Sequence, residues 1–282
     1  MNIKIPNRGL IPLISGLLLM VACGESNQQN RDTAGTQVED HVESPKTITY
    51  KIIGTLPHDS AAFTQGLEYA NGMLYESTGL RGQTSLRIID PATGEVVQKN
   101  ADYKEGDFGE GLTIFNDKLY QLTLDNQVIY RFNLADIHQV EKSFPWTRQG
   151  WGICNDGKSL FISDGTSSIY VVDPENMNIS KTLAVRDQRG QLDQLNELEY
   201  IDGFVYANRW HDENIYKIDP ESGHVVGILH FAGVLKQYAP HFSPGSEDVL
   251  NGIAWDSDSG TLFLTGKNWP LMFRLDLQTK NN

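Results

Sequence analysis

The 282-residue chain has only two cysteines, Cys23 and Cys154, in unrelated contexts, so no disulfide framework supports it. Basic residues are also scarce. With 23 Lys and Arg against 36 Asp and Glu, the formal charge of −13 excludes the basic footprint that a phosphate backbone demands. A nucleic-acid partner is not expected. The seven histidines show no HExxH or paired-ligand spacing, and GxSxG, GxGxxG and Walker sequences are missing. No apolar run is long enough to span a bilayer comfortably. The longest, Leu10 to Ala22, follows Lys4 and Arg8 and has the length of a signal-peptide h-region.

That run ends Met20-Val21-Ala22-Cys23, a small-residue approach to one cysteine that resembles a bacterial lipobox. It predicts a signal peptide over 1–22, a lipidated Cys23, and a flexible polar tether over 23–46. The expected location is the periplasmic side of a membrane, held there by lipid alone. An ordinary secretory signal predicts the same export without the anchor. Cleavage removes Lys4 and Arg8 and takes the charge from −13 to −15.

What the chain does have is repetition. FTQGLEYANGMLYESTG from Phe63, FGEGLTIFNDKLYQLTL from Phe108, QGWGICNDGKSLFISDG from Gln149, LNELEYIDGFVYANRW from Leu195 and LNGIAWDSDSGTLFLTGK from Leu250 share one pattern. Each reads as strand, turn, strand. Third segments such as LRIIDPATG and IYKIDPESG follow, with Asp-Pro corners as turn chemistry, and then a fourth, β-branched stretch. Four antiparallel strands per forty-odd residues predict an all-β, five-bladed propeller spanning 47–282. The last repeat lacks a fourth strand, and TITYKIIGTLPHD from Thr47 has no repeat of its own. The N-terminal strand is therefore expected to complete the last blade and close the ring.

Aligning the repeats superposes Gln65, Glu110, Trp151, Asn196 and Asn251, at intervals of 45, 41, 45 and 55. A second ring follows at Gly79, Leu124, Gly165, Trp210 and Lys267. If the second strand folds back beside the first, a carboxylate, three carboxamides, two indoles and an ammonium converge at one mouth. The residues alone leave two roles open for Glu110: a proton carrier in partly apolar surroundings, or an acceptor for backbone donors and a structural cation at a blade junction. Cys154 reads as a small buried hydrophobe. Asp256 to Gly260 reads as a hairpin turn, lacking the remaining ligands of a calcium loop.

FTQGLEY, FGEGLT, QLT, GWG, SDGT at Ser163, LNELEY with ANRW, NGIAWD and TGKNWP together resemble the plant and bacterial type of glutaminyl-peptide cyclotransferase, from about Thr47 to Leu277. The resemblance implies a five-bladed propeller that converts the N-terminal glutamine of peptides or proteins to pyroglutamate, releasing ammonia. It puts the acid/base role on Glu110 and substrate binding on Phe63, Gln65, Phe108, Trp151, Asn196, Trp210 and Lys267. It implies no catalytic metal or other cofactor, leaves room for a structural cation in the channel, and suggests a monomer. Leu124 departs from it, standing where the family often has Trp. Two other readings are a calcium-dependent, lactonase-like propeller liganded by Glu110, Asn196 and Asn251, and a non-catalytic propeller that binds peptides or glycans.

Overall fold

Apolar side chains recur along four consecutive segments of the first four repeats and three of the fifth, and the turns between them are built from residues that bond their own backbone or tolerate positive φ. In the computed structural model, which describes residues 42–277, these segments form five four-stranded antiparallel sheets in a ring. Two strands precede the first repeat, β1 (Lys46–Thr47) and β2 (Tyr50–Pro57). Blade one is β3 (Thr64–Ala70), β4 (Met73–Thr78), β5 (Ser85–Ile89) and β6 (Val96–Asn100). Blade two is β7 (Gly109–Phe115), β8 (Lys118–Thr123), β9 (Val128–Asn133) and β10 (Asp136–Pro145). Blade three is β11 (Ile153–Asn155), β12 (Leu160–Ser163), β13 (Ser168–Val172) and β14 (Ile179–Ala184), followed by a small hairpin of β15 (Arg186–Asp187) and β16 (Gly190–Gln191). Blade four is β17 (Leu195–Ile201), β18 (Phe204–Arg209), β19 (Asn214–Ile218) and β20 (Val225–His230). A single helical turn, α1 (Val234–Tyr238), then leads to β21 (Leu250–Asp256), β22 (Thr261–Gly266) and β23 (Leu271–Leu277).

The ring closes as the repeats require. β2 pairs antiparallel with β23, from Tyr50 opposite Leu277 to Pro57 opposite Leu271, and supplies the missing outer strand of blade five. The innermost strands β3, β7, β11, β17 and β21 touch in cyclic order. The start of the folded region differs from the expected boundary at Thr47. Lys46 and Thr47 add a parallel strand outside β20, and Val42 is buried. The signal peptide and the lipidated Cys23 lie outside the described residues.

Five blades make a tight ring, so their inner strands approach at backbone distance. A Cβ on Gly66 would lie 2.5 Å from the Leu112 nitrogen, one on Gly111 2.8 Å from the Gly152 Cα, and one on Gly152 2.1 Å from the Asn196 carbonyl oxygen. These glycines, with Gly252, occupy the same repeat position. Only the fourth repeat has a side chain there, Glu197. Its Oε1 accepts the Leu67 N–H at 3.3 Å and its Oε2 the Ile253 N–H at 3.0 Å. Glu199 likewise accepts from Trp255, and Glu68 from Ile114. Three carboxylates, Glu197 and Glu199 buried and Glu68 half-buried, thus satisfy donors on inner strand edges that no neighbouring strand reaches.

Those carboxylates, together with a buried ion cluster where the ring closes, make stability pH-dependent. Burial raises Glu68 to about 7, against the Ile114 N–H and the Thr113 hydroxyl, and raises Glu197 and Glu199 well above the ordinary carboxylate range. His58 bridges Glu76 and the Trp269 carbonyl, at 2.8 and 2.6 Å. Burial disfavours its cation, but Glu76 outweighs burial and the imidazole pKa is raised. A carboxylate with a raised folded pKa takes up a proton on folding, so its contribution falls as pH climbs from its unfolded value through its folded one. A histidine with a raised pKa also loses its contribution as pH climbs through that value. Asp59 and Glu76, both lowered, act oppositely, but only at acid pH. The melting temperature is therefore expected to be roughly 3–8 °C higher at pH 5.5 than at pH 8.5, with a shallower slope in Glu68→Gln. Calorimetric scans across that range test this, and a melting temperature that rises toward pH 8.5 contradicts it.

Candidate active site

Four of the five first-ring residues sit where the innermost strands break regular pairing. The ladder skips between Thr64 and Gly66 on β3, Gly109 and Leu112 on β7, Leu195 and Leu198 on β17, and Leu250 and Ile253 on β21. Such an irregularity re-aims one side chain out of the sheet's alternation. The second ring is tied to the same end by backbone bonds that recur from blade to blade. Gly79, Leu124, Trp210 and Lys267 each donate their N–H to the carbonyl two residues before the first-ring position, at 2.8–3.0 Å. Both rings therefore share one mouth.

A cavity of about 290 Å³ lies there, lined by Phe63, Gln65, Leu80, Phe108, Glu110, Leu124, Trp151, Asn196, Trp210, Glu247 and Lys267. All eight residues expected at the site are among them. Asn251 is not. Its Nδ2 donates to the Thr64 carbonyl and to Gln65 Oε1, at 3.0 and 3.2 Å, so two carboxamides rather than three line the cavity. Asn251 nevertheless shapes the site: with Gln65 Oε1 occupied, the Gln65 NH₂ is the group left for a ligand. Leu80, Glu247 and the nearby Asp125 were not foreseen. Leu80 and Glu247 come from connections between strands, where repeat alignment gives no register.

The walls are aromatic and pair off. Trp151 and Trp210 meet edge to face, with centroids 5.8 Å apart and planes at 90°, and Phe63 and Phe108 do the same at 6.2 Å and 88°. Two second-ring glycines exist for these rings. A Cβ on Gly79 would fall 2.3 Å from the Phe108 ring, and one on Gly165 2.6 Å from the Trp151 ring. Trp151 Nε1 donates to Gln149, which fixes the indole's tilt.

The polar groups are few and buried. Glu110 is 3% exposed, and among the described residues no backbone N–H or side chain donates a hydrogen bond to its carboxylate. Glu68, Glu197 and Glu199 accept the backbone donors at the blade junctions instead. Burial raises Glu110 well above the ordinary carboxylate range, Lys267 opposes the shift and Asp125 adds to it. Lys267 is 4% exposed, and its Nζ stands 4.8 Å from the Phe63 ring centroid. Burial lowers its pKa, against the pull of Glu110 and Glu247. The pair does not come within 4 Å as an ion pair, so both groups remain open to a ligand. Asn196 Oδ1 is buried with no partner, an acceptor awaiting an N–H. The site thus offers donors in Gln65 and Lys267, an acceptor in Asn196 and a carboxyl group in Glu110. That set complements a primary carboxamide held beside an amine.

A family model described as glutamine cyclotransferase matches residues 17–277. The chain belongs to the glutamine cyclotransferase family. A glutaminyl-peptide cyclotransferase from Arabidopsis thaliana is 40% identical over 230 residues, covering 81% of this chain and 71% of the relative. The crystal structure of Myxococcus xanthus glutaminyl cyclase aligns with a TM-score of 0.75 at 33% identity, over 83% of this chain and all but 1% of that one. In this member of the glutamine cyclotransferase family, the pocket residues do not form a calcium shell: Trp151 interrupts the polar ring and Asn251 is turned into the protein. Among the described residues, no three His, Cys, Asp or Glu side chains are grouped to hold a metal. Cys154 is free and buried, as expected, and the Asp256–Gly260 segment is the turn between β21 and β22. A larger cavity of about 680 Å³ lies between the Val42–Thr49 segment and the outer edge of blade four and shares no lining residue with this one.

Proposed function

We propose that the chain converts the N-terminal glutamine of peptides or proteins to pyroglutamate and releases ammonia, with Glu110 carrying the proton. The observation that supports this most directly is a buried carboxyl group that has no hydrogen-bond donor among the described residues, beside an amide oxygen with no partner among them and a buried ammonium. The substrate's neutral α-amine attacks its own γ-carbonyl carbon. Five-membered closure is favoured once the side chain is held curled, a task suited to Trp151, Trp210, Phe63 and Phe108. Lys267 and the Gln65 NH₂ donate to the carbonyl oxygen as it gains negative charge, and Asn196 Oδ1 accepts an N–H of the departing amide. The new C–N bond leaves a surplus proton on the attacking nitrogen. Glu110 takes it and returns it to the leaving NH₂, so the C–N bond to the amide breaks with release of neutral ammonia and the carboxyl group is restored. Every proton is accounted for without a metal or organic cofactor. Ammonia release from amidated Gln-initiated peptides, with loss of 17 Da from the peptide, tests the reading; binding without ammonia release would favour a non-catalytic peptide-binding role.

We further propose export and anchoring through lipid on Cys23, and a monomeric enzyme facing the periplasm. Labelling with a radioactive fatty acid that disappears in Cys23→Ser tests the anchor.

A further inference from the structure

The spacing between repeats four and five is 55 residues, at least ten more than any other, and the excess lies between β20 and β21. It contains α1 and a loop that reaches the active-site mouth. The loop is held firmly where it arrives. Asp248 Oδ1 accepts from Asn268 Nδ2 at 2.7 Å, its carbonyl accepts from Trp269 Nε1 at 2.8 Å, and its Oδ2 closes the loop on the Gly245 N–H at 2.7 Å. Lys267 N–H bonds the Val249 carbonyl. Glu247 is thereby fixed to the segment that carries Lys267 and lines the cavity. Of the three charged residues lining the cavity, Glu110 and Lys267 are buried and Glu247 is exposed. Asp125, next in sequence to the cavity-lining Leu124, is paired with Arg81. Among the described residues no cation lies within ion-pair distance of Glu247.

A glutamine side chain and its amine must lie deepest, beside Glu110, so the peptide leaves through the mouth. The first side chain past the rim belongs to the second residue. We propose that Glu247 selects substrates with Lys or Arg as the second residue and disfavours Asp or Glu there, a preference that rests on the cyclisation reading above. An exposed carboxylate acts through screened Coulomb attraction, so the effect is moderate, sensitive to salt and carried by KM.

The test compares kcat/KM for amidated Gln-Lys-Ala, Gln-Ala-Ala and Gln-Glu-Ala. At low ionic strength the order is expected to be Lys, Ala, Glu, with about 5-fold between neighbours, shrinking below about 2-fold in 0.5 M NaCl. Glu247→Gln flattens the series and Glu247→Lys inverts it. Glu95→Gln, an exposed charge between β5 and β6, leaves the order unchanged and so separates a local effect from the protein's overall negative field. Equal turnover of the three peptides by the parent, or an unaltered order in Glu247→Lys, overturns the selection while leaving cyclisation intact. Failure to release ammonia from any of them overturns the cyclisation reading itself.

Discussion

Glu110→Gln is expected to lower kcat for ammonia release by roughly 10²–10⁴-fold, the range a positioned acid/base supplies, while KM for a Gln-peptide changes much less. The substitution keeps the shape and removes the proton carrier. Little else should change, because Glu110 has no hydrogen bond to lose among the described residues: it lines the cavity with Lys267, Trp151 and the Phe63–Phe108 pair and is 3% exposed. Its buried neutral counterpart is better tolerated by those surroundings than the carboxylate, so the variant should be at least as stable as the parent. The two roles left open by sequence are thereby separated. A residue that held blade junctions through backbone bonds would cost stability when changed to Gln; a proton carrier costs rate alone. Turnover and thermal unfolding measured on the same preparation decide it, and parent-like kcat in Glu110→Gln rejects the assignment.

The ring and most of the pocket were legible in sequence because both follow from repetition. Equivalent positions in a closed ring must face one another, so Gln65, Glu110, Trp151 and Asn196 could be gathered without coordinates. Alignment could not tell which member of a ring points into the mouth. Asn251 shares its position with Glu110, yet it spends its amide on Thr64 and Gln65, because blade five abuts blade one at the closure. Glu247 was invisible for the opposite reason: it comes from the one long insertion, which has no counterpart in the other repeats. The bulges that turn first-ring residues toward the mouth, and the contact distances that make Gly79 and Gly165 necessary, exist only when strands are paired. Glu68, Glu197 and Glu199 stood in plain view in LEY and LNELEY, but alternating polar residues in a strand ordinarily face solvent, and only the closed channel buries Glu197 and Glu199 and half-buries Glu68.

Glu197→Ala carries the largest expected cost in stability. In the other four repeats the equivalent position is glycine, and in three of them even one methyl group would meet neighbouring backbone at 2.8 Å or less. Glu197 occupies the place where the ring tolerates a side chain, and its carboxyl group reaches both β3 and β21, one on each side of the closure between blades one and five. Truncation strands the Leu67 and Ile253 N–H groups, both buried and with no strand alongside to pair them. Each unsatisfied donor costs about 1–3 kcal/mol, and the lost methylenes add to that, so roughly 4 kcal/mol and about 10 °C in melting temperature are expected. Glu197→Gln should cost about half as much, because an amide keeps one acceptor and turns its NH₂ toward a donor. Urea or thermal unfolding of the two variants checks the order. If the alanine variant lies within about 1 kcal/mol of the parent, the two backbone bonds do not secure the ring and closure depends on β2 pairing with β23 instead.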